Sequence, residues 1–207
     1  MKGPPFALPE PNYQSMEQLE KLLKRRRTTR YFSDTPLTSH QISQLMWAAQ
    51  GTVSHEATGF THRTSPSAGG KYPLVLYVIS HLGVQIYQPI AHTMEKLTSD
   101  DIRSALSASA LAEVNQRALV TAPITVVVSV DNNTASTISP VWEDVLRYVY
   151  LEAGHATQNM ALQAQSLGLG LCTITSYRTR LVYESLKMPR HHRPIYLIPV
   201  GHPDNRV

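Results

Sequence analysis

The 207-residue sequence predicts an α+β domain with a central mixed, mainly antiparallel sheet that is flanked by helices. Amphipathic helical segments and β-branched strand segments are both present, and they do not alternate as regular βα units. A composition of 42% hydrophobic and 16% charged residues is typical of one globular domain. We therefore expect a single domain over residues 15–207, preceded by an extended, Pro-rich arm at residues 1–14.

Two helices are predicted early in the chain. Ser15 and Gln18 fit a capping box for a first helix, which is expected to end at a cluster of basic residues. Thr38 and Gln41 fit a second capping box, and the helix that follows is expected to stop at Gly51.

The middle of the chain predicts a long loop, several strands and further helices. Residues 52–71 are rich in Gly, Ser, Thr, Pro and His, and a loop of this length inside a compact domain is more often functional than idle. Residues 92–120 predict two or three helical pieces. Strands are predicted at residues 74–79, 84–87, 124–130, 171–176 and 195–200. The run at 124–130 is almost entirely β-branched, which favours a strand buried on both faces.

A long helix is predicted over residues 141–167, where apolar residues recur at intervals of three or four. No Asp, Glu, Lys or Arg occurs from Ala153 through Tyr177, so this segment lacks the charges typical of a solvent-facing helix. Small residues such as Gly154 and Ala161 permit another helix to approach closely. We therefore expect a subunit interface along this helix.

Several classes of protein are excluded or disfavoured. Cys172 is the single cysteine, so no disulfide framework is possible, and a reducing compartment, the cytoplasm, is expected. No apolar run approaches the roughly 18 residues that cross a bilayer, so no membrane association is expected. The nine histidines form no His-x-x-x-His pair on a predicted helix, and His191-His192 is interpreted as a solvated loop, so no metal site is expected.

Other catalytic motifs are missing as well. The sequence has no Gly-x-Ser-x-Gly nucleophile elbow. The glycines Gly168 and Gly170 follow a helix, whereas a dinucleotide fingerprint places its glycines before one, so a Rossmann domain is not expected.

The formal charge of +4 is concentrated in one basic cluster. Its members are Lys24, Arg25, Arg26, Arg27 and Arg30. A helix C-terminus stabilised by cations is one interpretation, and a nucleic-acid surface is a second, disfavoured because only three Phe and two Trp are available for stacking. The third is a pocket for one phosphate, which the arginines and the hydroxyls of Thr28 and Thr29 suit chemically.

Two further segments favour a flat, phosphorylated ligand. The small residues at positions 64–70 let the backbone approach a planar ring, although ordinary turns have the same composition. The backbone at residues 168–172 offers N–H donors for ring heteroatoms.

Five segments, taken in order, resemble the nitroreductase superfamily and specifically its SagB-type dehydrogenase branch. They are residues 26–32, 44–51, 63–74, 148–170 and 199–203, and they include Arg26-Arg27-Thr28-Thr29-Arg30, Ser65-Pro66-Ser67-Ala68-Gly69-Gly70-Lys71-Tyr72 and Leu151-Glu152-Ala153-Gly154-His155. The resemblance implies a nitroreductase-like fold and an intertwined, obligate homodimer that binds FMN in two clefts between the subunits.

The resemblance also implies an activity and a set of site residues. Members transfer hydride from NADH or NADPH to an organic acceptor, such as a nitroaromatic or a quinone, by a ping-pong mechanism. Carried onto this chain, the residues at 26–30 hold the phosphate and ribityl chain, those at 66–69 lie against the ring from the other subunit, and the backbone at 169–171 approaches the ring edge. The implied cofactor-binding residues are Arg26, Arg27, Thr28, Arg30, Pro66, Ser67, Ala68, Gly69, Asn159, Gly168, Leu169, Gly170, Leu171 and Arg206.

Lys71 and Tyr72 are the candidate catalytic side chains, either for stabilising the reduced flavin or for proton transfer. A Lys–Tyr pair acts in the azole-forming branch, whose members oxidise azoline rings in modified peptides, and that activity is an alternative here. It would require peptide-modifying partner proteins, because no cyclase or recognition domain is attached. A non-catalytic flavin-binding protein is a further alternative.

Overall fold

The computed structural model describes residues 5–15, 17–54 and 61–204. The helices are α1 (Leu19–Arg25), α2 (Ser39–Gln50), α3 (Arg103–Ser107), α4 (Glu113–Thr121), α5 (Asn132–Ala135), α6 (Trp142–Ser166) and α7 (Thr179–Leu186). The strands are β1 (Phe6–Ala7), β2 (Thr52–Ser54), β3 (Thr61–Arg63), β4 (Leu74–Ser80), β5 (Gly83–Gln88), β6 (Thr93–Thr98), β7 (Ile124–Asp131), β8 (Gly170–Leu171) and β9 (His192–Gly201). A short 3-10 turn spans Ala68–Gly70.

Seven strands form the central sheet in the order β1-β6-β5-β4-β7-β9-β8, and every neighbouring pair is antiparallel. The predicted α+β class with a mainly antiparallel, helix-flanked sheet is therefore confirmed. β7 lies in the middle of the sheet and is buried along nearly its whole length, as its β-branched sequence predicts.

Side chains of β7 alternate between two hydrophobic cores, one on each face of the sheet. Val126 and Val128 point to the core that α6 covers, together with Val149 and Met160. Val127 points to the opposite core, which contains apolar residues of α3, α4 and α7. The sheet is thus buried between two helical layers, which accounts for its apolar sequence.

The first two helices test the capping predictions. Thr38 and Gln41 form the complete capping box of α2, which ends at Gly51 as expected. The box predicted at Ser15 is wrong: α1 begins at Leu19, its N-cap Gln18 makes no side-chain cap hydrogen bond, and the Ser15 hydroxyl instead accepts the Glu17 N–H at 3.1 Å. The end of α1 in the basic cluster is confirmed.

Three segments differ from the sequence-based prediction. Residues 93–98 are strand β6 rather than helix, because pairing with β5 buries Met94 completely and overrides local propensity. The predicted loop at 52–71 contains the β2–β3 pair, and the strand predicted at 171–176 is reduced to Gly170–Leu171. Helix α7 has no counterpart in the prediction.

The described part of the N-terminal arm, residues 5–14, is extended and packed on the domain. Its strand β1 pairs with β6, Leu8 is buried, and the side chain of Gln44 on α2 accepts the Asn12 N–H at 2.8 Å.

Helix α6 confirms the long helix predicted over residues 141–167 and has 25 residues. It ends in a Schellman motif, in which the Leu169 N–H donates to Ala164 O and the Gly168 N–H donates to Gln165 O. Gly168 has φ +69°, a conformation that favours glycine. Within the described parts of the chain, no helix is long and apolar enough to cross a membrane.

Candidate functional site

The first part of the candidate site is a cleft of about 480 Å³ between the segment after α1, the end of α6 and the C-terminal segment, which we call the anion cleft. Its walls are Arg25, Arg27, Thr28, Thr29, Arg30, Tyr31, Gln165, Gly168, Leu169, Pro203 and Asp204. Three of these residues carry guanidinium groups, three carry hydroxyls, and Asp204 carries a carboxylate. This donor set suits a small anion such as a phosphomonoester.

Backbone pairing with β8 fixes the position of the two threonines. The Thr29 N–H donates to Leu171 O at 2.9 Å, and Thr28 forms a parallel bridge with Leu171. A Cβ atom added to Gly170 would lie 2.4 Å from Thr29 Oγ1, so only glycine allows this close approach. The cleft therefore combines parts of the chain that are distant in sequence.

Only some of the residues that are predicted to bind a phosphate line the anion cleft. Arg27, Thr28 and Arg30 line the anion cleft with Gly168 and Leu169. Arg26, in contrast, does not line it, and Arg25, which was not among the predicted cofactor residues, does. Arg206 lies outside the described residues.

The second part is a cavity of about 870 Å³ beside the segment at residues 62–72, which we call the loop cavity. Pro66, Ser67, Tyr72 and Asn159 line it, as do Trp47 and several apolar side chains. Asn159 donates from Nδ2 to Thr64 O at 3.1 Å, so α6 holds this segment in place. Trp47 Nε1 is buried and has no hydrogen-bond partner among the residues that the structure describes.

Tyr72 is held in a strained conformation with φ +51°. Three contacts fix it: its N–H donates to Ser67 Oγ at 2.8 Å, its hydroxyl accepts the Arg63 N–H at 3.1 Å, and the Arg63 guanidinium lies 4.7 Å from its ring centroid. A strained bulky residue held this firmly is typical of functional sites.

Three predicted site residues do not line the loop cavity, although their neighbours in sequence do: Ala68, Gly69 and Lys71. Lys71 is exposed and follows the 3-10 turn, in which Gly69 has φ +60°. Tyr72 thus lines the cavity, whereas its neighbour in the proposed catalytic pair faces solvent.

Glu152 is the functional candidate that the sequence interpretation missed. It is 2% exposed, and burial raises the pKa of its carboxyl group to about 7, against the lowering effects of Ser67, Arg63 and Gln50. A sequence signal existed, because Glu152 falls on the buried stripe of α6 at helical spacing from Val149 and Ala156.

The two cavities lie on different faces of α6. Asn159 and Ser166, which line the loop cavity, are seven residues apart and hence on one face. Gln165, which lines the anion cleft, is rotated from that face by about a third of a turn.

A separate cluster joins Asp131, His191 and His192, whose potential ligand atoms lie within 4.8 Å of one another. His192 is half-buried in β9 rather than in a solvated loop, and its Nδ1 lies 2.5 Å from the Tyr77 hydroxyl. The Asp131 carboxylate already accepts from Asn133 N and the Thr134 hydroxyl at the start of α5. The expectation of no metal site stays a prediction.

Comparisons with known proteins identify the family. The Nitroreductase family profile matches residues 23–202. A Methanocaldococcus jannaschii protein, named provisionally as a nitroreductase, is 33% identical over 190 residues, which are 89% of this chain and 90% of that protein. The crystal structure of a protein from Ralstonia eutropha JMP134, also named provisionally as a nitroreductase, has a TM-score of 0.82 at 26% identity and covers 97% of this chain and 90% of its own.

A shorter match of 57 residues, 44% identical, relates 27% of this chain to 23% of a Bacillus subtilis protein named FMN reductase (NADPH). The profile and the M. jannaschii relative each span most of the chain. The chain therefore belongs to the nitroreductase family of oxidoreductases.

Proposed function

We propose that this protein is an FMN-dependent oxidoreductase that transfers hydride between NADH or NADPH and a small organic acceptor, such as a nitroaromatic or a quinone, by a ping-pong mechanism. The observation that carries the proposal is the anion cleft, where Arg27, Arg30 and Thr28 converge with the backbone of Gly168 and Leu169. FMN ends in a phosphomonoester, which matches this donor set. The partial relative named FMN reductase (NADPH) supports the same cofactor.

The loop cavity fits a planar ring. Its volume of about 870 Å³ is within the usual range for cofactor sites, and its walls combine apolar side chains with a few polar groups. The unpartnered Trp47 Nε1–H is a donor at the cavity wall for a polar atom of a ring system.

The chemistry divides between the cofactor and the protein. When bound, FMN supplies the hydride chemistry, accepting from one substrate and releasing to the next. The arginines of the anion cleft bind its phosphate, and the segment from Pro66 to Ser67 orients the ring and excludes water. Tyr72 is fixed against the ring pocket, and we assign to Lys71 the provision of positive charge or a proton near the reduced ring.

A homodimer explains how one ligand would contact both cavities. A stripe of uncharged residues runs along the exposed face of α6 at intervals of three or four, and it contains Tyr148, Leu151, His155 and Gln158. An uncharged helix face with exposed Leu and Tyr is typical of a subunit interface. A second copy packed on this face would bring its loop cavity towards the anion cleft of the first.

The phosphate assignment is tested by comparing FMN with riboflavin, which lacks the phosphate. We expect R27A and R30A each to weaken FMN binding by about tenfold or more, the loss of a charge-assisted contact, and to leave riboflavin binding nearly unchanged. R26A removes the same charge next to the cleft and is the matched control. Fluorescence quenching of the flavin measures each affinity.

Equal losses for FMN and riboflavin would contradict the phosphate assignment, and a protein that binds neither flavin would contradict the proposed function. Anaerobic reduction of the bound flavin by NADH and by NADPH, followed by reoxidation with a quinone or a nitroaromatic, then tests turnover. A flavin that binds but is not reduced by either donor would indicate a non-catalytic flavin protein.

A second candidate is the SagB-like oxidation of azoline rings in modified peptides. The observation that favours it is the Lys71–Tyr72 pair, with Tyr72 strained at φ +51° in the cavity wall and Lys71 open to an incoming peptide. Oxidation of an azoline peptide by the FMN-loaded protein, lost in K71A and in Y72F, would support this activity. Reoxidation by quinones that is unaffected in both variants, without azoline turnover, would reject it.

A further inference from the structure

A carboxyl group lies buried behind the wall of the loop cavity. Glu152 is at the centre of α6 and is 2% exposed, although acidic residues are rarely buried without a partner. Among the residues that the structure describes, its Oε1 atom has no hydrogen-bond partner. A buried polar atom without a partner is destabilising, so the position calls for an explanation.

The carboxyl group interacts with the segment that lines the cavity. The side chains of Ser67 and Gln50 lie close enough to the carboxyl group to favour its ionised form, against the effect of burial. Ser67 Oγ already accepts the Tyr72 N–H at 2.8 Å, which leaves the hydroxyl proton for donation to Glu152. An ionised carboxylate only accepts, so it suits this donor better than the protonated acid does.

Arg63 connects the surroundings of Glu152 with Tyr72 in the wall of the loop cavity. Its Nη1 donates to Gln50 Oε1 at 2.7 Å, and its guanidinium lies over the Tyr72 ring. Desolvation lowers the pKa of Arg63, whereas the negative charge of Glu152 raises it. Ionised Glu152 therefore balances a half-buried positive charge at the cavity wall, and protonated Glu152 leaves that charge unbalanced.

We propose that Glu152 is a positioning residue for the loop cavity: its ionised carboxylate holds Ser67 and Arg63 in the arrangement that binds a flat ring, and its protonation loosens that arrangement. The inference rests on the proposed function, since the ring considered is that of FMN. It adds a proton-linked control of cofactor affinity through a residue that would not itself touch the cofactor.

The pH range of this control follows from the surroundings of Glu152. Burial raises its pKa to about 7, so protonation falls within the neutral range. Arg63 from β3 is the charged side chain that acts on it, and Tyr72 and Tyr87 face Arg63. His62 on β3 and His155 on α6 are exposed imidazoles close in sequence to these groups, so they require control variants.

The test measures the dissociation constant of FMN at about pH 8.5 and about pH 5.5 by flavin fluorescence quenching. In the unmodified protein we expect affinity to fall at the lower pH by at least about fivefold more than in E152Q, an isosteric variant fixed in the neutral state. Because both proteins bind the same ligand, ionisation of the FMN phosphate contributes equally to each. E143Q, which removes an exposed carboxylate from the same helix, is expected to behave as the unmodified protein. In H62Q, at the wall of the loop cavity, and in H155Q, on the exposed stripe of α6, the fall in FMN affinity between the two pH values is expected to persist, whatever the affinity at pH 8.5.

A second measurement does not depend on FMN. In the protein with ¹³C-labelled Glu carboxyl groups, the resonance that is missing from E152Q is expected to titrate with a midpoint near 7. A midpoint near 4.5, or a pH dependence of FMN affinity that persists unchanged in E152Q, would overturn the inference and leave the proposed function intact. Absence of FMN binding at every pH would overturn both.

Discussion

The lack of a side chain at Gly170 allows Thr29, in the wall of the anion cleft, to pack closely against β8. Its Cα lies so close to Thr29 that an added Cβ would be 2.4 Å from Oγ1 and 2.6 Å from Cβ of that residue. Thr29 also donates its N–H to Leu171 O, so the clash cannot be relieved without breaking the backbone contact that positions Thr28. Local packing at this residue therefore controls the positions of Thr28 and Thr29 in the anion cleft.

We expect G170A to lower the free energy of unfolding by about 1–3 kcal/mol, because the extra methyl group overpacks the site. FMN affinity is expected to fall as well, since the Thr28–Thr29 segment must move. Urea denaturation and fluorescence quenching measure the two effects. G154A is the comparison for stability alone: apart from its chain neighbours and the backbone of its own helix, no described heavy atom lies within 4 Å of the added Cβ, and a helix interior gains about 0.5–1 kcal/mol from Gly to Ala.

The raised pKa of Glu152 predicts that this residue favours the folded state more at low pH than at high pH. Its pKa is about 7 in the folded protein and has a reference value of 4.5, so folding favours the protonated form. The contribution of this group to the free energy of unfolding is fully present below pH 4.5 and is lost as the pH rises through about 7. E152Q, which stays neutral, is expected to be more stable than the unmodified protein by about 3 kcal/mol at pH 8 but by less than about 1 kcal/mol at pH 5.

Urea denaturation at both pH values, at one protein concentration, measures this difference. An advantage of E152Q that is the same at pH 5 and pH 8 would show that Glu152 titrates normally. A residue that destabilises the fold while supporting ligand binding is a common compromise at functional sites.

At the scale of elements, α6 contributes to both cavities and carries the exposed, uncharged stripe that we propose as a subunit interface. Leu151 is 53% exposed in the middle of this stripe. We expect L151R to convert a dimer into a monomer at micromolar concentrations and to reduce retained FMN, because a buried unpaired charge opposes association. Sedimentation velocity and flavin absorbance measure the two outcomes.

The matched control is L82R, which places the same charge on a 63% exposed leucine at the β4–β5 turn. It is expected to leave the oligomeric state and the flavin content unchanged. Dimers that survive in L151R, or an unmodified protein that sediments as a monomer, would contradict the interface assigned to α6.

The elements that the sequence predicts well are those with strong local signals. The periodicity of α6, the β-branched run of β7 and the capping box at Thr38 predict their elements within a few residues. β6 was missed because Met94 is buried by its strand partner, and such partners are not visible in local sequence. α7 was missed although its buried residues Val182 and Leu186 stand at helical spacing.

The candidate site was predictable where it follows a motif. Arg27, Thr28 and Arg30 line one cleft with Gly168 and Leu169, and their binding of FMN stays a prediction. The choice between Arg25 and Arg26 depends on the exact end of α1, and helix ends are the least certain feature of a sequence-based prediction. The network of Glu152, Gln50 and Arg63 depends on packing between α6, α2 and β3, which only the tertiary structure reveals.

At the scale of the whole molecule, cofactor binding and stability are linked. A ligand that binds only the folded protein stabilises it by about 2.7 kcal/mol at a concentration of 100 times its dissociation constant. For a chain of this size we expect FMN to raise the thermal midpoint by about 5–11 °C under those conditions. Riboflavin at the same concentration is expected to give a smaller shift, because it lacks the phosphate.

Differential scanning calorimetry at two protein concentrations measures the shift of the thermal midpoint with each flavin and its dependence on protein concentration. If the functional unit is a dimer, the midpoint is expected to rise with protein concentration as well. Equal shifts with FMN and riboflavin would count against the anion cleft as the phosphate site, and a midpoint independent of protein concentration would count against the dimer.

The hydrogen bond between Thr29 and Leu171 also has a consequence for biosynthesis. The arginine segment leaves the ribosome early, whereas the strand that holds it is translated near the end of the chain. A nascent polypeptide that still lacks β8 also lacks the carbonyl group that fixes Thr29. If the anion cleft holds the FMN phosphate, as proposed, the cofactor therefore binds only after β8 has been synthesised.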